Sequence, residues 1–543
     1  MSFNFDLISF IKQESPRELK KVLYLASFVG LTSTLLIALV NESASKVANK
    51  DSVTLEFFLF IFLLMVFLLV ARKSTKETLS TSQTLIHKFK MRLMRDVFMS
   101  DLSRVDDIGR VNILQALGRD AQTVSQAMPG LVLSCQALAT LLFLSLYMAT
   151  ISVIAFIIIS TTSLLIFYFS SRFVLTVHGD LTAAWKKEGD IHNIFGDFLN
   201  GFKEIKMNSD RARDISQVMV DESRISTKMK SDALISVANF FNYLQVLLYV
   251  VIGAIIFIVP MFSEGFSDLV VPATTVTIFL VGSLTGIITS IPSLSEANAS
   301  ARSLLKLESE LETTEGRVNP EASSQVFGGF ETLSLRGLSY RYSGKDAKQQ
   351  FSVGPITYEF EAGNVYFIRG SNGSGKTTLM RILLGLYQPS AGEISVNNEI
   401  VDQPTSSSYR DLFSVVFSDF HLFKNLYGLG DADGSEVERW RTLLKIENKV
   451  NLADGVFSNI NLSTGQKKRL ALLVAIMESR PIIVLDEWAA DQDPEFRKVF
   501  YTELIPLFRE MGKTVIAITH DDQYFNLADS LITIDSGKLF SKN

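Results

Sequence analysis

The chain has one cysteine, Cys135. That excludes an intrachain disulfide and any metal cage built from cysteine. Its long apolar stretches are almost free of ionisable groups, with Glu56 near the end of one of them; this argues against a proton relay or a charge-lined ion path. A net charge of −5 gives no reason to expect nucleic acid as a partner. The opening stretch MSFNFDLISFIKQ has no basic start followed by a small-residue cleavage site, as a secretory signal would. What the chain has in abundance is apolar surface. At 543 residues it should form two or three domains, and its 47% apolar content points towards a membrane.

Apolar stretches of roughly 20 residues, enough to cross a bilayer, fall near 21–41, 53–72, 127–149, 151–172, 237–260 and 268–291. Any one could be a buried core helix; six in succession predict a membrane domain. The third and fourth nearly abut, as in a tight helical hairpin. Between the second and third, and between the fourth and fifth, lie loops rich in Lys and Arg, whereas the opposite connections offer only Lys46 and Lys50. Basic loops stay cytoplasmic, which puts the N-terminus, both long loops and the C-terminal half on that side.

Those two loops read as helical extensions of the spans, each broken once, at SDLSRVDDIGR (100–110) and DFLNGFKEIKMN (197–208). The breaks are expected to be tips that touch a cytoplasmic neighbour, or simple turns. Ahead of the first span, SPRELKK starts like a helix, with Ser15 as cap, Pro16 in the first position and Glu18 closing a capping box. With Phe3, Phe5, Ile8, Phe10 and Ile11, this segment reads either as a helix on the inner membrane face or as a flexible terminus. Asn239, Asn242, Tyr243 and Gln245 in the fifth span, and Thr274, Thr277, Thr285 and Thr289 in the sixth, could line a polar cavity or bond within the helices.

Past residue 292 the composition becomes charged, and 330–543 alternates strand-like and helix-like stretches, an α/β layout. NVYFI (364–368) runs into GSNGSGKTT, which fits G-x-x-x-x-G-K-[ST] from Gly370 to Thr377. Gly373 and Gly375 let backbone N–H groups approach phosphate oxygens, Lys376 reaches the β and γ phosphates, and the Thr377 hydroxyl ligates Mg²⁺. The helix that follows turns its positive end to the same phosphates. The run Ile482-Ile483-Val484-Leu485 reads as a strand buried on both faces, and it ends in adjacent carboxylates. Asp486 is assigned to Mg²⁺ and Glu487 to activation of the attacking water. Strand TVIAIT (514–519) ends in His520, near the same phosphates. At NLSTGQKKRLALLVA, Ser463 and Gly465 open another helix. One nucleotide needs only one glycine-rich loop, so this second anion-binding end points to the γ-phosphate of another copy's nucleotide.

Taken together the chain resembles the ATP-binding cassette (ABC) transporter family along its whole length. GSNGSGKTT matches Walker A, adding Ser371, Asn372, Ser374 and Thr378 to the nucleotide loop. IIVLDE matches Walker B, LSTGQ resembles LSGGQ (Ser463, Thr464, Gly465, Gln466), and His520 matches the switch histidine. The resemblance places Asp493 at the D-loop aspartate and Tyr342 where an aromatic stacks on adenine. Three positions depart from the pattern. Ser418, in VVFSDFHLF, stands where a glutamine is usual and can still ligate Mg²⁺; Thr464 replaces a glycine; and DEWAADQDPEF replaces the usual small-residue D-loop. FSDFHLF, LSTGQ and DEWAADQDPEFR together resemble the bacterial cyclic-peptide and siderophore exporter branch.

The resemblance implies an exporter-type membrane domain of six transmembrane helices over 1–312, a linker over 313–329 and an α/β P-loop nucleotide-binding domain over 330–543. It implies ATP and Mg²⁺ as cofactors, a second identical chain and membrane lipid as partners, and the bacterial inner membrane as location. It also implies export of a cyclic or modified peptide or siderophore-like compound. Two rival readings are a lipid or lipid-linked flippase, and a membrane regulator that uses ATP without moving cargo.

Overall fold

The computed structural model describes residues 6–258, 270–312, 327, 329–342, 351–429 and 434–542. They divide into two compact units. The first comprises Met1–Asp96 with Gly109–Leu311, the second Val97–Ile108 with Glu312–Asn543.

The first unit is helical: α1 (Asp6–Glu14), α2 (Pro16–Ala48), α3 (Thr54–Phe98), then, beyond the short α4 (Leu102–Ile108) of the second unit, α5 (Arg110–Gln115), α6 (Ala121–Ile151), α7 (Val153–Asn200), α8 (Phe202–Lys206), α9 (Ser209–Gly253) and α10 (Val270–Glu312). Among the described residues, five helices are long and apolar enough to cross a membrane. The fourth expected span, 151–172, lies in α7, several of whose side chains fall outside the described residues, as do residues 259–269 at the junction of the fifth and sixth spans. At 45 residues α3 is about 68 Å long at 1.5 Å per residue, against a hydrocarbon core of about 30 Å. Its apolar half is therefore continued by a long polar extension, as the sequence predicted. Between α6 and α7 the chain breaks at Ser152 alone, whose extended backbone (φ −153°, ψ 121°) makes the tight hairpin. Glu56 is paired with Lys46 at 2.6 Å, so the carboxylate in that apolar helix is neutralised.

Two expectations need correction. Pro16 does open α2, but Ser15 makes no side-chain cap; its hydroxyl is buried and its backbone N–H bonds Ile11 O. Glu18 pairs with Lys88 instead of closing a capping box. Nor is most of the apolar face of α1 left for lipid, although Ile8 is exposed and Phe3 and Phe5 lie outside the described residues. Leu7, Phe10 and Ile11 are buried, Phe10 meets Phe89 edge-on, and the Leu7 N–H donates to Asn298. Arg92 ties Glu14 to Glu308, and Arg302 binds Asp6. In the sixth span, Thr277, Thr285 and Thr289 donate to backbone carbonyls one turn back in their own helix, so their hydroxyls satisfy the helix rather than a cavity.

The second unit contains β1 (Thr332–Arg341), β2 (Ser352–Glu361), β3 (Val365–Arg369), α11 (Lys376–Leu383), β4 (Ala391–Val396), β5 (Glu399–Ile400), α12 (Ser407–Arg410), β6 (Phe413–Val416), α13 (Gly434–Leu443), β7 (Leu452–Ala453), β8 (Val456–Phe457), α14 (Thr464–Met477), β9 (Ile482–Asp486), α15 (Pro494–Val499), α16 (Ile505–Glu510), β10 (Thr514–Ile518), β11 (Ser530–Asp535) and β12 (Lys538–Lys542). One sheet has the order β12-β11-β3-β10-β9-β6, parallel except for β12. Every residue of β9 and β10 is buried, as central parallel strands covered on both faces must be. An antiparallel sheet, β2-β1-β4-β5, shares a core with one face through Leu335, Ile356, Ile394 and Ile516. α14, α15 and α16 supply a second core, with Leu470, Leu473, Phe496 and Phe508, joined by Phe500 between α15 and α16. The loops after β3, β6, β9 and β10 thus emerge at one edge of one sheet, the crevice where such folds bind ligands.

Candidate nucleotide site

Gly370 to Gly375 form the turn between β3 and α11. Gly375 has φ +104°, and a Cβ there would come within 2.8 Å of Val353, so only glycine fits. The Lys376 ammonium lies inside the loop, donating to the carbonyls of Gly370 (2.8 Å) and Ser371 (3.1 Å). Thr377 and Thr378 follow in the first turn of α11, and Thr378 Oγ1 lies 3.0 Å from the Tyr342 hydroxyl. Tyr342 meets Tyr340 edge-on, and Tyr340 stacks on Tyr387, so the ring is held in an aromatic cluster beside the loop.

Asp486 ends β9 and is 3% exposed. Burial raises the pKa of its carboxyl, and this is opposed by the Ser418 hydroxyl, which donates to Oδ2 at 2.8 Å, and by the Ser418 N–H. A buried carboxylate next to a hydroxyl, together with the Thr377 hydroxyl at the start of α11, is an oxygen-donor set suited to a small hard cation that keeps substrate phosphates as its other ligands. The residues therefore fit Mg²⁺. Among the described residues no group of three or more His, Cys, Asp or Glu could hold a metal by itself, as expected where phosphates complete the shell.

Glu487 has left-handed backbone (φ 47°, ψ 37°), which costs a residue with a β-carbon about 1–2 kcal/mol. Its N–H donates to Ile518 O on β10, and its Oε1 lies 3.4 Å from His520 Nε2. The two side chains, 38% and 50% exposed, share the mouth of the crevice. So the ends of β3, β9 and β10 and the loop after β6 gather Gly370–Thr378, Ser418, Asp486, Glu487 and His520, all read from sequence as site residues.

The LSTGQ residues form a different structure. Ser463 caps α14, accepting from the Gln466 N–H while Gln466 Oε1 accepts from the Ser463 N–H, a capping box. Ser463 and Thr464 are exposed. A Cβ on Gly465 would meet the Asp491 carbonyl at 2.8 Å, so glycine is required by the close approach of the chain's own D-loop. Asp493 caps α15 through the Phe496 N–H and pairs with Arg469 at 2.7 Å.

Sequence reading missed the residues that join these segments. Arg469 donates to Gln492 and lies 3.6 Å over the Phe496 ring. Trp488 is 1% exposed, packs on Phe500 and donates to Lys468 O. The DEWAADQDPEF segment, which departs from the usual small-residue D-loop, is therefore anchored in the second core through Trp488. A signal was present in the adjacency of KKR after LSTGQ and DQD after DEWAA; which cation turns inward depends on helix phase.

With that geometry established, comparisons with known proteins decide the family. The family profile described as "ABC transporter" matches residues 353–490. A relative, "ATP-binding protein SyrD" of Pseudomonas syringae pv. syringae, is 30% identical over 524 residues, 93% of this chain and 91% of its own. The chain belongs to the ABC transporter family. The chain is also 29% identical over 220 residues to an "ATP-dependent lipid A-core flippase" of Bordetella pertussis, covering 38% of this chain and 34% of that one. In fold it matches the structure of a bacterial Atm1-family ABC exporter with ATP bound, with a TM-score of 0.77 and 16% identity, over 96% of this chain and 94% of that one. This ABC transporter is thus a multi-pass membrane protein of the exporter fold, with an apolar helical domain followed by an ABC nucleotide-binding domain, and an ATPase coupled to transmembrane transport.

Proposed function

We propose that two copies of this chain form an exporter that moves a cyclic or modified peptide, siderophore-like in its chemistry, out of the cytoplasm across the bacterial inner membrane. The observation that carries the dimer is the split between the two anion-binding ends. The P-loop and the strand-end carboxylates share one sheet edge, whereas Ser463 and Thr464 stand exposed at the start of α14. A nucleotide held by Lys376 of one copy then meets Ser463 of the other. The end-to-end likeness to SyrD, together with FSDFHLF, LSTGQ and DEWAADQDPEFR, supports the cargo class.

In this reading the P-loop N–H groups and Lys376 hold the β and γ phosphates, and Tyr342 faces the base. Thr377, Ser418 and Asp486 hold Mg²⁺, which when bound neutralises charge on the transferring phosphoryl group. Glu487 accepts the proton of the attacking water, and His520 orients its carboxylate from 3.4 Å. Because nucleotide favours the closed pair of cassettes, binding and hydrolysis bias the membrane domain between its two faces.

The test uses the purified protein in inverted vesicles. Glu487→Gln is expected to lower ATP turnover by about a hundredfold or more, and ATP-driven uptake of a cyclic peptide is expected with the native chain. Uptake absent alongside headgroup-lipid flipping would replace the cargo reading by a flippase; turnover with neither would make the chain a regulator. The flippase likeness covers 38% of this chain, against 93% for SyrD, so it supports a cargo reading less.

A further inference from the structure

We propose that Lys468 is a positioning residue for hydrolysis, holding the backbone of Glu487 and linking it to the helix that begins with LSTGQ. The inference rests on Glu487 being the group that activates water.

Although Ser463 and Thr464 face outward, one turn along α14 the Lys468 side chain is 3% exposed. Its ammonium sits between two oxygens of the opposite segment, the Glu487 carbonyl at 2.7 Å and an Asp491 carboxylate oxygen at 2.7 Å. The buried charge therefore has both a counter-ion and a hydrogen bond, without which it would be costly to bury. Trp488 Nε1 returns a bond to the Lys468 carbonyl at 2.8 Å, so the two segments are joined in both directions.

What this fixes is the direction of the Glu487 side chain. A left-handed conformation is uncommon for a residue that is not glycine, and persists where neighbours over-determine it. The Glu487 N–H is held by Ile518 O on β10 and its carbonyl by Lys468. With both flanking peptides held, the Cα–Cβ bond points towards His520 and the crevice. The carbonyl anchor belongs to the helix whose first turn is exposed to a second copy. Engagement of Ser463 by the other copy's nucleotide thus reaches the cis carboxylate through one turn of α14 and one ammonium.

The experiment measures steady-state ATPase kinetics, nucleotide binding and thermal stability for the full chain in lipid, with Lys468→Met, Glu487→Gln and the double variant. Lys468→Met is expected to lower kcat about tenfold or more, with the KM for ATP and nucleotide binding within about twofold, since the Lys376 loop is untouched. On the Glu487→Gln background it is expected to remove nothing further from the residual rate, because both changes act on one carboxylate. A lysine that merely supports the fold would lower the residual rate by the same factor again, and that result overturns the proposal. So does an unchanged kcat for Lys468→Met while Glu487→Gln is inactive. Turnover persisting in Glu487→Gln identifies the separate failure of the water-activating reading. If Met lowers Tm, Lys468→Gln, which leaves a donor in the pocket, is judged by the same kcat and non-additivity criteria.

Discussion

The two cytoplasmic tips look alike in sequence: each interrupts a long helical extension with a short polar break. The structure makes them different. The first, Val97–Ile108, belongs to the same compact unit as the cassette. Leu102 packs on the core shared by the two sheets. Asp106 accepts from the Tyr387 hydroxyl at 3.2 Å and lies 3.7 Å from Arg381, whose guanidinium donates to that same hydroxyl at 2.5 Å. Burial pushes the Tyr387 pKa up to about 12, so the bridging hydroxyl keeps its proton. The second tip, around α8, leaves Leu199, Phe202 and Met207 exposed, Met207 to 87%. Exposed apolar side chains clustered on a tip mark a contact surface. One tip is thus packed within its own chain and the other exposed, a contrast that fits the proposed dimer.

This contrast can be broken by mutation. Leu102→Asp places a carboxylate against an apolar core; ATP-driven vesicle uptake is expected to fall about tenfold or more, with Tm lowered. A variant with full uptake would mean the first tip does not transmit force. Phe202→Ser combined with Met207→Ser should leave Tm within about a degree, since exposed substitutions stay within about 0.5 kcal/mol, yet lower lipid-reconstituted ATPase several-fold. A large Tm drop instead would show the second tip to be docked in its own chain, and the contrast would vanish.

Tyr387→Phe removes the hydroxyl between Arg381 and Asp106. A loss of about 1 kcal/mol is expected, read as a Tm shift of about 2–4 °C. The same change should leave the KM for ATP unaltered if this cluster serves the tip rather than the base.

The smallest effect concerns a carboxylate more deeply buried than Asp106, whose side chain is 37% exposed. Asp120 is 6% exposed; desolvation raises its pKa against hydrogen bonds from Ser303, Ser300 and Gln115 and the nearby charge of Arg119. The sign follows from linkage. A carboxyl whose folded pKa lies above its unfolded value costs stability when ionised, and that cost disappears as pH falls through the folded pKa. Asp120→Asn should therefore raise Tm by a degree or two near pH 7.5 and have no effect below about pH 4, checked by melting across pH.

Much of this was legible in the residues. The P-loop, the strand-end pair Asp486-Glu487 and His520 could be read because their chemistry depends on local spacing within a strand, a turn and a helix. Apolar length likewise announced the long membrane-length helices. The misreadings have a common cause. Ser15 and the apolar face of α1 were assigned by local rules, but packing against Phe89 and Asn298, far away in the chain, claimed them. For the sixth-span threonines Thr277, Thr285 and Thr289 the sequence left two readings open, and bonding within their own helix is the one observed.

Sequence alone thus determined the elements and the reactive groups, because periodicity and motif spacing act over a few residues. Tertiary structure decided which of two similar tips is covered, which lysine in KKR turns inward, and that Trp488 and Asp493 anchor the D-loop. Those outcomes depend on helix phase and on partners tens to hundreds of residues away, where burial and pairing outweigh any local preference.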